Sequence, residues 1–145
     1  MEVYSIGFTQ KTAEQFFGIL KRAGIGRLLD VRLNNVSQLA GFTKREDLRF
    51  FVKEILGAEY LHEPLLAPTQ DILDAYKKEK GGWAEYAAKF LALMAERKVE
   101  ERIDRALFSI PTALLCSEPT ADQCHRRLVL EYLKEKWGDM EITHL

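Results

Sequence analysis

The chain has 145 residues, 47% of them hydrophobic, which predicts one self-sufficient domain over residues 1–145 rather than a repeat array or a small disulfide-stapled scaffold. Its 21 Lys and Arg residues balance 22 Asp and Glu residues, and the net charge of -1 argues against the broad basic surface of a dedicated nucleic-acid binder. A local basic patch is compatible with this balance, so nucleic acid stays open as a partner.

Apolar runs alternate with amphipathic stretches in the first half of the chain. Two stretches begin with Thr followed three residues later by Gln or Glu, the pattern of a helix capping box; the pairs are Thr12 with Gln15 and Thr43 with Glu46. The predicted elements are a strand at 3–8, a helix at 12–23, a strand at 28–32, a helix that begins near Thr43 and ends at Gly57, and a short strand at 60–62.

The second half continues the alternation. Gly81 and Gly82 separate two helical stretches, and a third capping box at Thr120 and Gln123 predicts that a helix begins there. The predicted elements are a helix at 71–80, a helix from Trp83 that ends before Pro111, a buried strand at 113–116, a helix from Thr120 to Trp137 and an edge strand at 140–144.

Strands separated by single helices predict an α/β fold, a mostly parallel sheet with helices on both faces built from βαβ units. Binding sites in such sheets lie in the loops beyond the carboxyl ends of the strands. The three clearest strands end at residues 7–9, 32–35 and 116–118. If these strands are neighbours, their loops open onto one crevice.

The loop after residue 116 carries the most reactive side chains. Cys116 ends a strand and a helix begins a few residues later, so free backbone N–H groups there could hold an anion or lower a thiol pKa. Cys116 is therefore a candidate nucleophile, although a cysteine at the end of an apolar strand is commonly an inert core residue. Glu118, two residues on, is a candidate catalytic group.

The start of the last helix adds further candidates. Helical projection turns His125 inward, either as a catalytic proton carrier or as a core histidine bonded to a backbone carbonyl. Arg126 lies on the inward flank and needs an anionic partner, which could be a ligand or a carboxylate such as Asp30 or Glu118. Cys124 could pack in the core, serve as a resolving thiol or contact a ligand.

Candidate binding residues also follow the first two strands. Asp30 and Arg32 alternate to the same side of the sheet, where they could form a local ion pair or leave Arg32 to reach an anion. Thr9 offers a hydroxyl in the first loop, and Asn34 lies in the polar loop after Arg32. These residues, with Cys124 and Arg126, form the predicted binding set.

No sequence motif identifies a cofactor. Cys116, Cys124 and His125 carry zinc-type donors, but C-x7-C-H lacks the paired close spacings of structural zinc modules and has no fourth ligand nearby, so we assign no metal site. The sequence has no G-x-G-x-x-G, no Walker loop and no G-x-S-x-G. The cofactor is therefore unknown.

Four segments of the chain together resemble the sequence pattern of a known family. They are Tyr4-Ser5-Ile6-Gly7, Leu29-Asp30-Val31-Arg32, Leu114-Leu115-Cys116-Ser117-Glu118 and Cys124-His125-Arg126-Arg127-Leu128. Their order and the intact C-H-R motif resemble the family catalogued as domain of unknown function 488. The chain departs from that pattern at Phe8, Thr9 and Val36. The resemblance implies a compact α/β domain, brings no established activity, and matches seven of the candidates to family motif positions, namely Asp30, Arg32, Cys116, Glu118, Cys124, His125 and Arg126.

Three functions follow as alternatives. The first is an enzyme that acts on a small anionic, nucleotide- or phosphate-like substrate, with Arg32 and Arg126 as anion clamps, Cys116 as nucleophile and His125 as proton shuttle oriented by Glu118. The second is a non-catalytic module that binds a nucleotide or nucleic acid in the same crevice. The third is a metal-binding protein, which the residues support less than the other two.

The expected compartment follows from the cysteines and the apolar runs. The chain has two cysteines, no N-terminal apolar run of the signal-peptide type and no apolar run approaching the roughly 20 residues of a membrane span. These features predict a cytoplasmic protein with reduced thiols and no membrane partner.

Overall fold

The structure is a computed structural model that describes residues 1–36 and 41–145. Its centre is a sheet of five parallel strands in the order β3-β2-β4-β1-β5. The strands are β1 (Glu2–Gly7), β2 (Arg27–Asp30), β3 (Glu59–His62), β4 (Thr112–Cys116) and β5 (Glu141–His144). The predicted parallel α/β fold is confirmed, and so is the edge position of the last strand.

Helices connect the strands. They are α1 (Ala13–Arg22), α2 (Arg45–Phe51), α3 (Gln70–Lys77), α4 (Trp83–Arg97), α5 (Val99–Arg102) and α6 (His125–Trp137). A π-helical turn, Val52–Leu56, extends α2 to Gly57, and 3-10 turns lie at Gly41–Thr43, Pro64–Leu66 and Arg105–Phe108. Gly57 and Gly138 both follow their helices with positive φ, as expected for helix ends that favour glycine.

The two faces of the sheet bury separate apolar cores. On one face, Phe16, Phe17 and Leu20 of α1 pack with Leu48 of α2 over the sheet. On the other face the core is formed by α4, α5 and α6, with Phe90, Met94, Val129 and Leu133 among its buried side chains. Side chains alternate between the two faces along each strand. Whether a polar side chain near a strand end points toward one core or the other therefore depends on its place in that alternation.

One of the three predicted capping boxes is present in the structure. Thr12 caps α1 in the predicted box, because its hydroxyl accepts from the Gln15 backbone N–H at 3.1 Å and the Gln15 side chain accepts from the Thr12 N–H. The boxes at Thr43 and Thr120 were wrong. Helix α2 begins after Lys44, and α6 begins only at His125, after Cys124 in an extended conformation. Thr43 lies in a 3-10 turn, and residues 120–123 stay in the loop.

Across the described part of the chain, no helix combines the length and the apolar composition needed to cross a membrane.

Candidate active site

Three strand ends meet at one edge of the sheet. Strand β4 lies between β2 and β1, so the three loops predicted to share a crevice are neighbours. Gly7 pairs with Cys116 in the register of β1 and β4. A Cβ on Gly7 would lie only 1.5 Å from the carbonyl oxygen of Glu118, so this position requires glycine for the two loops to approach.

A cavity of about 230 Å³ opens beyond the end of β4. Cys116, Glu118, Cys124 and His125 lie in its wall, together with residues from the loop after β2, from α3 and from α4. Its lining consists of Arg32, Leu33, Asn34, Pro68, Leu73, Tyr76, Lys77, Tyr86, Cys116, Ser117, Glu118, Gln123, Cys124 and His125.

Cys116 and His125 form a buried pair at this cavity. The Sγ of Cys116 lies 3.5 Å from Nδ1 of His125, and Nε2 of His125 lies 2.7 Å from the Val31 carbonyl oxygen. A carbonyl can only accept, so Nε2 carries a hydrogen and donates it. Nδ1 of the neutral ring is then free to accept the proton of the Cys116 thiol, which is the arrangement of a Cys–His nucleophile pair.

The two thiols differ in their protonation. A hydrogen bond from Cys124 lowers the pKa of the Cys116 thiol, and the backbone N–H groups of Ser117 and Glu118 and the charge of Arg126 lower it further against the effect of burial. The pKa of Cys124 is raised, because Cys124 donates that hydrogen bond and because it is itself buried. Of the two thiols, Cys116 is therefore the one that loses its proton more readily, and Cys124 is its hydrogen-bond donor.

Arg126 lies behind this pair and is completely buried. Its Nε donates to Ser5 Oγ at 3.1 Å, and its Nη1 donates to the Glu118 carbonyl at 2.8 Å. Its Nη2 has no hydrogen-bond partner among residues 1–36 and 41–145. Neither expected carboxylate neutralises it, since Asp30 pairs with Arg32 and Glu118 pairs with Lys77.

Asp30 and Arg32 form a closed ion pair. The guanidinium donates through Nε and Nη2 to the two carboxylate oxygens at 2.9 and 2.8 Å, and Nη2 also donates to the Thr43 carbonyl at 2.7 Å. Tyr60 Oη donates to the same carboxylate at 2.5 Å. Of the alternatives for Arg32, the structure has the local ion pair, and this leaves the guanidinium engaged within the protein.

Glu118 has a different partner from the one expected. Its carboxylate accepts from Lys77 Nζ at 2.6 Å at the half-exposed rim of the cavity. The orienting group of His125 is the Val31 carbonyl, so the expectation that Glu118 orients the imidazole was wrong.

Thr9 and Asn34 differ in where they lie. Thr9 is exposed, does not line the cavity, and donates both its N–H and its hydroxyl to the Ser117 carbonyl, which ties the first loop to the loop after β4. Asn34 lines the cavity, as does Cys124.

Sequence reasoning missed the wall contributed by α3 and α4. The rings of Tyr76 and Tyr86 pack at a tilt of 30° with their centroids 4.7 Å apart, and Tyr76 Oη donates to Gln123 at 3.3 Å. Burial raises the pKa of Tyr86, so its hydroxyl stays protonated. The aromatic spacing in 76–86 was visible, but nothing local showed that these helices pack beside the end of β4.

The thiols and the imidazole also form a group that could hold a metal ion. Cys116 Sγ, Cys124 Sγ and His125 Nδ1 all lie within 4.8 Å of one another, and no fourth residue joins this group in the described ranges. Thiolate and imidazole suit zinc, whose catalytic sites keep three protein ligands and one open position. A metal ligand and a free nucleophile are mutually exclusive roles for Cys116, so an experiment can separate them.

Comparison with known families decides the relationship suggested by the motifs. A sequence model described as Domain of unknown function DUF488 matches residues 12–133. This chain belongs to that family. The DUF488 match runs from the start of α1 to Leu133 in α6, so it includes the Cys116 loop and the C-H-R motif. Searches of curated proteins and of solved structures give no match to this chain.

Proposed function

We propose that this DUF488 domain is a cysteine-dependent enzyme that acts on a small anionic substrate, with Cys116 as the nucleophile. The observation that carries the proposal is the contact of 3.5 Å between Cys116 Sγ and His125 Nδ1 at the wall of the cavity. The Val31 carbonyl supports it further, because it fixes the ring so that Nδ1, and not Nε2, faces the thiol.

The reaction begins with proton transfer. The Cys116 thiol gives its proton to His125 Nδ1, and the thiolate forms a bond to the electrophilic atom of the substrate. The leaving group departs with the bonding electron pair and takes the proton from the imidazolium. Water then attacks the enzyme-bound group and passes a proton through His125 Nδ1 to the departing Cys116 sulfur, which restores the thiol.

Recognition of an anion is supported by the donors around the cavity. The N–H groups of Ser117 and Glu118 that face Cys116 can stabilise negative charge that develops beside the sulfur. Lys77 lies at the rim, where a phosphate or carboxylate can compete with Glu118 for its ammonium group. Asn34 and Gln123 add polar side chains, and the Tyr76–Tyr86 wall suits a planar group such as a nucleobase.

The predicted binding residues take two kinds of role in this proposal. Asn34 and Cys124 line the cavity and can contact the substrate directly. Thr9, Arg126 and Asp30 do not line the cavity, and Arg32 lines it with its guanidinium bonded to Asp30. These four residues hold the three loops together, since their polar groups bond to other parts of the chain.

Protection from alkylation tests the proposal. Wild-type protein is treated with iodoacetamide at pH 7 with and without AMP or inorganic phosphate, and adducts at Cys116 and Cys124 are resolved by peptide mass spectrometry. We expect Cys116 to react faster than free cysteine and the anions to slow that reaction. A Cys116 that reacts no faster than free cysteine would reject the nucleophile, and the lack of protection by either anion would reject the substrate class.

The two alternatives give distinct results in a parallel assay. Turnover of a panel of nucleotides and phosphate esters that is lost in Cys116→Ser supports the enzyme. AMP binding that survives in Cys116→Ser, without any turnover in wild-type protein, favours the non-catalytic module. A bound metal in native mass spectrometry of protein purified without chelator favours the metal site, which the group of three donor atoms makes a specific second candidate.

A further inference from the structure

Arg126 is the largest side chain that the fold buries completely, and none of the ion pairs among the described residues includes it. Its guanidinium bonds only to a hydroxyl and a backbone carbonyl, and Nη2 has no partner in the part of the chain that the structure describes. Arginine stays protonated in proteins, so this positive charge cannot be removed by deprotonation. A buried charge without a counter-ion is strongly destabilising, so we expect an anion close by.

The Cys116 thiol is a group beside Arg126 that can become that anion, and the charge of Arg126 is among the causes that lower its pKa. Gly7 is the register partner of Cys116, and Nη1 of Arg126 lies 3.2 Å from where a Cβ on Gly7 would be. Arg126 therefore lies directly beside the end of β4. The positive charge of Arg126 also affects two other titratable groups. The pKa values of Lys11 and His144 are both lowered, mainly by burial and further by the charge of Arg126.

We propose that Arg126 is a positioning residue that supplies the counter-charge of the Cys116 thiolate and holds the 116–118 loop around it, rather than a direct ligand of the substrate. This inference rests on the proposed function, because it requires Cys116 to work as a thiolate. The bond from Nη1 to the Glu118 carbonyl fixes this loop, whose Ser117 and Glu118 N–H groups hydrogen-bond to the sulfur.

Other groups also face Cys116, and the test must separate Arg126 from them. They are Cys124 just before α6, His125 at the start of α6, Tyr86 from α4, Lys77 from α3, and Glu118 from the loop. Lys77 and Glu118 neutralise each other across 2.6 Å, and Tyr86 is neutral. Cys124 and His125 act through hydrogen bonds that substitution of Arg126 leaves in place, so a change in the Cys116 pKa on removing Arg126 reports the guanidinium.

The experiment compares Arg126→Met with a matched variant on the same helix, Arg127→Met. Arg127 is partly exposed, pairs with Glu131 and does not line the cavity, so its substitution changes the net charge equally without touching the Cys116 loop. The pH dependence of Cys116 alkylation is measured by site-resolved mass spectrometry for each folded protein. We expect Arg126→Met to raise the pKa of Cys116 by about one to three units and Arg127→Met to leave it unchanged.

Failure of the inference and failure of the proposed function give different results. A low pKa in wild-type protein that is the same in Arg126→Met overturns the role of Arg126 alone. An ordinary thiol pKa in wild-type protein overturns the nucleophile and the role of Arg126 together.

A second pair of variants keeps the test decisive if Arg126→Met does not fold. Cys116→Asp places a fixed negative charge beside Arg126, whereas Cys116→Asn is a neutral side chain of the same shape. At pH 7 we expect Cys116→Asp to melt at the same or a higher temperature than Cys116→Asn, because the carboxylate gains a counter-ion. A lower melting temperature of Cys116→Asp would overturn the inference.

Discussion

Two arginines are buried at the same edge of the sheet, and the fold surrounds them differently. Arg32 meets Asp30 through two hydrogen bonds, and the Thr43 carbonyl and the Asn35–Tyr60–Asp30 contacts complete a closed polar cluster. Arg126 bonds to a hydroxyl and a carbonyl, and no carboxylate from the described residues forms an ion pair with it.

This difference separates structural support from chemistry. A buried ion pair whose hydrogen bonds are all satisfied is electrically closed and acts on its neighbours mainly by holding the backbone. A buried cation without a counter-ion acts on any titratable group beside it and favours that group's anionic form. Arg32 therefore belongs to the framework of the site, whereas Arg126 belongs to the electrostatics of Cys116.

Breaking the closed pair should have the largest effect on stability. Asp30→Asn keeps the shape of the side chain but leaves the guanidinium of Arg32 buried without its carboxylate, at a cost of about 3–5 kcal/mol. Urea unfolding measures the loss. The double variant Asp30→Leu with Arg32→Met should recover most of it, because both charges are then gone; a double variant no more stable than Asp30→Asn would contradict this interpretation.

Moving the loop away from Arg126 should have the next largest effect. In Gly7→Ala the new Cβ would lie 1.5 Å from the Glu118 carbonyl, so the loop must shift and Arg126 loses its Nη1 acceptor. We expect a loss of about 1–3 kcal/mol and slower alkylation of Cys116. Gly82→Ala is the control, since nothing lies within 4 Å of its added Cβ. Equal effects of the two substitutions would show that the close approach at Gly7 does not matter.

The pH dependence of the free energy of unfolding should show whether the folded protein stabilises the Cys116 thiolate. The folded state lowers the pKa of Cys116 below its unfolded value of about 8.5, so the unfolded chain binds more protons between the two pKa values and stability rises with pH there. The contribution is complete above about pH 8.5 and is lost as pH falls through the folded pKa. Relative to Cys116→Ser, wild-type protein should gain about 1.4 kcal/mol for each unit of pKa depression.

Denaturant titrations of both proteins between pH 5 and about pH 8 measure this difference. Cys124 does not interfere in that range, because its raised pKa moves its folded-state titration to higher pH. A constant difference between wild-type protein and Cys116→Ser would contradict a stabilised thiolate.

The smallest effect on stability is expected at the rim. Lys77 and Glu118 are partly exposed, and such ion pairs contribute about 0–1 kcal/mol. Lys77→Met should therefore melt close to wild-type protein but lose much of the protection of Cys116 by AMP or phosphate. The exposed pair Lys89–Glu85 supplies the control variant, Lys89→Met. Undiminished protection in Lys77→Met would remove Lys77 from the binding site.

Much of the fold could be predicted from local patterns. Short apolar runs located the strands and apolar spacing with a period of 3.6 located the helices, and the rule for parallel sheets pointed to the loops after β1, β2 and β4. The capping boxes at Thr43 and Thr120 failed because Ser or Thr followed by Glu or Gln also occurs in loops, where the backbone makes other hydrogen bonds.

The partners within the site could be predicted less well. Cys116 and His125 were found from strand-end and helix-start positions, but the group that orients His125 is a backbone carbonyl, which no residue type announces. Arg126 was placed inward correctly, yet its partner Ser5 lies on a strand at the other end of the chain. The position of Ser5 between inward-facing Val3 and Gly7 was the available signal, since a polar side chain on a core face needs a partner.

The direct test of the central claim is the thiolate absorption of wild-type protein in the far ultraviolet as pH is raised, with Cys116→Ser as the reference. If Cys116 is held as a thiolate by His125, Arg126 and its hydrogen bonds, the difference spectrum shows one ionisation well below about pH 8.5. If the only ionisations occur at or above that pH, Cys116 is an ordinary buried thiol and is not the nucleophile of this DUF488 protein.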